Sequence, residues 1–441
     1  MAISFKAGYA KQDITPAFPV PLGGYGNTHY RIHEEVESPI FAICVALSDG
    51  ENPLLLYHLD LVGMPIEIVE SCKKGILEAT GVPEDNILFN CTHTHSAPDL
   101  RSPLDSIKEY NTFLTSALIG LAAPALADLA EATIQIGSGH VKNLNFVRRY
   151  LLSDGSYGGD NFGDFVNNTI LAHETEADDL MQVVRLVRQE KKDILLVNWQ
   201  AHPHPMGGTV KKYLTSDVVG KFRANAEAEH DVLFAFYQGC GGNINSHSRI
   251  EGEGFKRDAV AIAAGLAAGL TGILGKLRPV KSGPVKASTK IFCAPINHAM
   301  DHKVGDAQKV LEFWEGKVGT SREVVDFARS LGFNSAFHAS AVIRHSKMAD
   351  SLSYRIGAVS FGDICIVWSP NELFDATGLY LKSVLPFEMT FACGYTNGGF
   401  GYMPTRRAFQ HGGYGCDTCN YPAGTTEVLT QALYEQGLAV R

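Results

Sequence analysis

Ile87-Leu88-Phe89-Asn90-Cys91-Thr92-His93-Thr94-His95-Ser96 joins an apolar run of buried-strand type to two imidazoles two residues apart. Side chains at that spacing in extended backbone point the same way. Both rings then reach one metal ion, or one ligates it while the other moves protons. Taken alone, the pair also fits two histidines satisfied in the core or at the surface. Three further segments repeat the pattern and decide how it is read.

The first is His202-Pro203-His204-Pro205, which follows the run Ile194-Leu195-Leu196-Val197-Asn198-Trp199. Its prolines stiffen the chain on both sides of His204, as a ligand loop requires, although a turn with two exposed histidines has the same composition. The second is Ser369-Pro370-Asn371-Glu372 after Ile364-Cys365-Ile366-Val367-Trp368. A carboxylate there is a helix N-terminal charge or an oxygen ligand. The third is the glycine-rich Gly239-Cys240-Gly241-Gly242-Asn243-Ile244-Asn245-Ser246, after Val232-Leu233-Phe234-Ala235-Phe236-Tyr237. Four times the polar chemistry leaves the carboxyl end of an apolar strand. In an α/β sheet with parallel strands those ends line one edge, so residues more than a hundred positions apart converge on one crevice. Asp60, at the end of another apolar run, either fixes a ligand histidine or serves as a surface or capping carboxylate.

At these residues the chain resembles the catalytic domain of the neutral/alkaline non-lysosomal ceramidase family. The resemblance takes in Gly8-Tyr9-Ala10-Lys11-Gln12-Asp13-Ile14-Thr15-Pro16, Gly23-Gly24-Tyr25-Gly26, the T-H-T-H-S segment, Ala201-His202-Pro203, Pro370-Asn371-Glu372 and Gly401-Tyr402-Met403-Pro404-Thr405. It implies an α/β fold, with a mixed sheet flanked by helices, over a single domain 1–441; the family's appended immunoglobulin-like C-terminal domain is not expected here, since the chain closes with an amphipathic helix soon after Tyr414. It further implies Zn2+ held by His93, His202, Glu372 and Tyr402. Tyr414 would assist the substrate, His95 would handle protons, and Arg148, with Arg149 beside it, would bind substrate. The loop residues Gly242, Asn243 and Asn245 would line the substrate position.

The departures matter as well. The family's glycine-rich loop reads G-D-x-S-P-N with a catalytic serine, whereas Asn245 stands at that position here and Ser246 is displaced by one. A shift of one residue redirects a side chain, which counts against ceramide as the substrate. The expected activity is zinc-dependent hydrolysis of an amide, or an ester, of a soluble small molecule. Metal-assisted β-elimination from a uronic-acid sugar is the alternative, since tyrosine and histidine also serve as base and acid there. A non-catalytic module with a structural metal is the third reading.

Composition limits the partners. With 441 residues, 45% of them hydrophobic and 19% charged, the chain buries a large core. A net charge of -9 without a basic cluster argues against nucleic acid. The N-terminus lacks signal-peptide character, and the uncharged stretch 259–275 is too short and too weakly apolar for a span, so no membrane insertion is expected. Nine scattered cysteines fit reduced thiols and a cytoplasmic location. Cys416 and Cys419 form a C-x-x-C without the second pair a four-cysteine zinc site needs. A homo-oligomer stays open.

Overall fold

The apolar runs are strands over Ile87–Cys91, Ile194–Trp199, Leu233–Gln238 and Ile364–Trp368, buried almost throughout. Burial on both faces explains why they read as continuous instead of alternating. The computed structural model describes residues 5–25, 31–159, 168–207, 211–250, 258–317 and 319–441. Gly26 of the quoted glycine motif lies outside them.

Each of these strands has a parallel neighbour: Ile87–Cys91 beside Pro53–Leu59, Ile194–Trp199 beside Leu233–Gln238, and Ile364–Trp368 beside Met389–Cys393. Elsewhere the pairing is largely antiparallel. The larger sheet runs Leu233–Gln238, Ile194–Trp199, Leu180–Arg188, Ala130–His140, Lys6–Asp13, Phe41–Ser48, Pro53–Leu59, Ile87–Cys91, with Arg278–Val280 joined to Ala130–His140. A second sheet contains Val285–Pro295, Ser351–Phe361, Ile364–Trp368 and Met389–Cys393. The expectation of one row of parallel strand ends is therefore corrected. The chemistry-bearing strands lie at both extremes of one mixed sheet and in another sheet packed on it.

Buried Asn90 draws those extremes together. Its amide nitrogen donates to the carbonyls of Gln238 at 3.4 Å and Gly394 at 2.9 Å, and its Oδ1 accepts from Gln238 N at 2.7 Å. Alternate strand residues fill separate layers. Ala42, Cys44, Leu55 and Tyr57 pack with the helices Ile66–Thr80 and Asp105–Ala127. Val183, Leu195, Val197 and Phe236 pack with Asp217–His230 and Ala259–Leu274. Between the sheets, Ile43, Val45 and Leu56 meet Phe361, Ile366 and Phe391. Thr425–Ala439 covers the outer face of the second sheet through Leu429, Ala432 and Leu433. The result is helix, sheet, sheet, helix: an α/β architecture.

Two apolar helix residues stay outside the core. Val428 is 62% exposed, one position outside the docking stripe, and Leu77 is 40% exposed at the end of Ile66–Thr80. Asp105–Ala127 is the one described helix long and apolar enough to cross a membrane. Its Tyr110, Leu114, Leu118 and Leu121 lie in the core. The region from 285 to 350 begins with the eleven-residue strand Val285–Pro295 before the helices Val304–Trp314, Arg322–Ser330 and Ala336–His345.

Candidate metal centre

His93 follows its strand in the left-handed region, φ 66°. That turn, rather than an extended pleat, brings the His93 and His95 rings to 4.9 Å. His93 Nδ1 lies 2.6 Å from the carbonyl oxygen of Val62 and His202 Nδ1 lies 2.9 Å from that of Ile244. An Nδ1 that donates to a carbonyl leaves Nε2 as the lone-pair nitrogen of a neutral ring. Both Nε2 atoms approach Glu372 Oε2 to 3.4 Å, and His95 Nε2 is 3.2 Å from His93 Nε2.

The donor set fits a metal. Donors about 2.0–2.2 Å from one zinc in tetrahedral array stand roughly 3.3–3.5 Å apart, close to these separations. The ligand atoms of His93, His95 and His202 lie within 4.8 Å of one another, and all three residues are buried. His202 Nε2 and Glu372 Oε2 are buried without a hydrogen-bond partner, an arrangement that a bound cation satisfies. His95, expected only to handle protons, thus also stands within ligand reach.

Electrostatics agree with the geometry. Burial would raise the Glu372 carboxyl, but His93 and His202 outweigh it and hold the group well below the usual carboxylate range. Burial, with Arg148 nearby, pushes the His202 imidazole down to about 3. Burial and the neighbouring imidazoles do the same in direction to His95 and His204. Neutral imidazoles and an ionised carboxylate are the states in which these groups bind metals.

On the other side, Arg148 Nη2 donates to the Tyr402 hydroxyl at 3.0 Å and to the Gly242 carbonyl at 2.8 Å. Its guanidinium lies over the rings of Tyr402 and Tyr414, 5.5 and 5.9 Å from their centroids, and those rings are 5.6 Å apart. Tyr402 is also paired in register with Glu372 by a short parallel bridge. Arg149 points elsewhere: it pairs with Glu174 and donates to the carbonyls of Ala408 and Gly412, bracing the Tyr414 loop.

The loop residues divide. Gly242 sits where an added Cβ would lie 2.5 Å from the Glu372 carbonyl. Asn245 Oδ1 is 3.0 Å from His204 Nε2, facing the histidines. Asn243, expected to line the substrate position, instead commits both ends of its amide to Asp375, at 2.7 and 2.9 Å. Ser246 Oγ donates to the carbonyl of His202 at 3.1 Å. Asp60 does not hold a ligand histidine; it pairs with Arg223 and His58 in the core.

The sequence reading passed over Tyr395, whose ring lies 4.3 Å from that of His93, and a file of imidazoles. His95 to His204 and His204 to His247 are each 5.5 Å between centroids. Tyr395 leaves the strand Met389–Cys393, so its position at a strand end was the available signal. The H-P-H-P spacing was the signal for His204.

As a sequence the chain matches no family model and no curated protein. As a structure it matches neutral ceramidase from Pseudomonas aeruginosa with a TM-score of 0.73 at 16% identity, over 100% of this chain and 75% of that one. A ceramidase complexed with C2 matches over the same shares at 17% identity and the same score. The fold is that of neutral ceramidase. In this ceramidase-like domain the strand-end segments form one buried polar centre.

Proposed function

We propose that this ceramidase-like domain is a zinc-dependent hydrolase acting on an amide, or an ester, of a soluble small molecule. The observation that carries the reading is the convergence of His93, His202 and Glu372, with buried Nε2 and Oε2 atoms that lack partners. His93, His202, Glu372 and Tyr402 would hold the ion, with His95 in reach of it. A divalent ion held there supplies Lewis acidity toward a carbonyl and lowers the pKa of water.

The chain's own groups account for the rest of the chemistry. The Tyr414 ring and the Arg148 guanidinium stand beside Tyr402, where they can donate to an oxygen that gains charge as the carbonyl carbon becomes tetrahedral. His95 Nε2, 3.2 Å from His93 Nε2, is the nitrogen nearest the metal residues, and this ring is the one we assign to proton transfer to a leaving amine. Ser246 serves the backbone and has no part in the reaction. The test is to load purified protein with zinc and screen N-acyl compounds for amine release. Failure of every amide and ester to turn over, at full zinc occupancy, would overturn the reading.

A further inference from the structure

Five arginines are buried among the described residues: Arg31, Arg148, Arg149, Arg188 and Arg223. Three of them face carboxylates, Arg149 on Glu174, Arg188 on Asp128 and Arg223 on Asp60. Arg31 spends Nε, Nη1 and Nη2 on the carbonyls of Lys211, Gly23 and His95. Arg148 differs from all four. Its side-chain hydrogen bonds to described residues leave from Nη2 alone, and no described carboxylate pairs with it. Nε and Nη1, which lie on different edges of the guanidinium, donate to no described residue.

A buried cation without a counter-charge is strongly disfavoured, and the two tyrosine rings compensate only in part. The charge inventory points the same way. With a divalent ion bound, the centre holds that ion and Arg148 against one carboxylate, Glu372. Ionisation of Tyr402 would still leave a positive excess. Beyond the metal residues, the imidazoles of His95, His204 and His247 and the amide of Asn245 continue the wall with polar groups.

We propose that the substrate of this site carries a carboxylate, bound by the uncommitted Nε–H or Nη1–H of Arg148 beside the bond to be broken. The proposal rests on the hydrolase reading for the identity of that bond, and on the geometry of Arg148 for the anion. Nη2 belongs to both bidentate edges and is already engaged, so the carboxylate takes a single charge-assisted hydrogen bond from Nε or Nη1. Two kinds of small molecule supply this chemistry, N-acyl amino acids and uronate oligosaccharides.

The test is calorimetric binding to the zinc-loaded protein of matched pairs: N-acyl amino acids against their carboxamides, and uronate oligosaccharides against their methyl esters. In one of the two series the free acid is expected to bind about tenfold more tightly or better. The preference should vanish in Arg148→Gln at unchanged zinc content. It should fall at least about threefold in Arg148→Lys, which keeps the charge and loses the fixed donor positions of the guanidinium; this second variant serves if the first does not fold. Equal binding of acid and neutral partner, or a preference that survives in Arg148→Gln, would overturn the proposal. Tight acid binding without amine release would overturn the hydrolase reading and leave the carboxylate site standing, and ultraviolet absorbance from a uronate product would identify elimination. Cleavage of neutral amides with no acid preference would overturn the carboxylate site alone.

Discussion

His93 is held at φ 66°, a conformation that costs a residue with a side chain roughly 1–3 kcal/mol. In return Nδ1 reaches the Val62 carbonyl and Nε2 faces Glu372. Replacing His93 or His202 by Ala is expected to remove most bound zinc, measured by elemental analysis; full occupancy in both variants would refute the ligand assignment. The same measurement on His95→Ala reports whether the third imidazole ligates. Tyr414→Phe and His95→Ala should each lower kcat/KM about a hundredfold, the scale of an oxyanion donor or a proton-transfer group. Ser246→Ala should keep most activity, because its hydroxyl is engaged by the His202 carbonyl, and an acyl group trapped on Ser246 in mass spectrometry would contradict this. The convergence of His93, His202 and Glu372 was legible because each stands in a distinctive short motif. The commitment of Asn243 to Asp375 was not, since an amide's partner 132 positions away leaves no local trace.

Among the elements, the loop carrying His202 and His204 is pinned to the helix Asp217–His230. Asp217 Oδ2 accepts from Met206 N at 3.0 Å and Oδ1 from Val218 N at 2.7 Å. Burial pushes this carboxyl up to about 7, against about 3.9 in an unfolded chain. A proton held more tightly in the folded state favours folding. That contribution is complete below about pH 4 and is lost as pH rises through 7, an effect of up to about 4 kcal/mol. Asn tolerates the left-handed backbone at this position, φ 52°. Relative to Asp217→Asn, the wild-type melting temperature should therefore fall between pH 5 and 8. Parallel curves for the two proteins would show that Asp217 does not titrate in this range. Apolar strands at 194–199 and 364–368 were legible because burial on both faces leaves an unbroken run. The segment after Met389–Cys393 carries no histidine or carboxylate, so Tyr395 at the site had no compositional signal.

The whole molecule sets the substrate's character. The centre is walled by His95, His204, His247, Asn245 and Arg148, polar groups ill suited to an acyl chain. Turnover of long-chain ceramide is expected to be negligible beside that of the best soluble substrate, as followed by fatty-acid release; comparable rates would refute the polar reading of the pocket. Sequence by itself determined the α/β class, the strand-end position of the polar segments and the candidates His93, His202 and Glu372 that converge, because buried strands and short histidine or carboxylate motifs are local patterns. Only the tertiary structure decided that those strands come from two sheets, one mixed, drawn together by Asn90. It also decided that Arg148 rather than Arg149 faces the site, that His95 stands within ligand distance, and that Arg148 Nε and Nη1 donate to no described residue. Those outcomes depend on contacts between segments far apart in the chain, and on charges whose partners are chosen only when the layers pack.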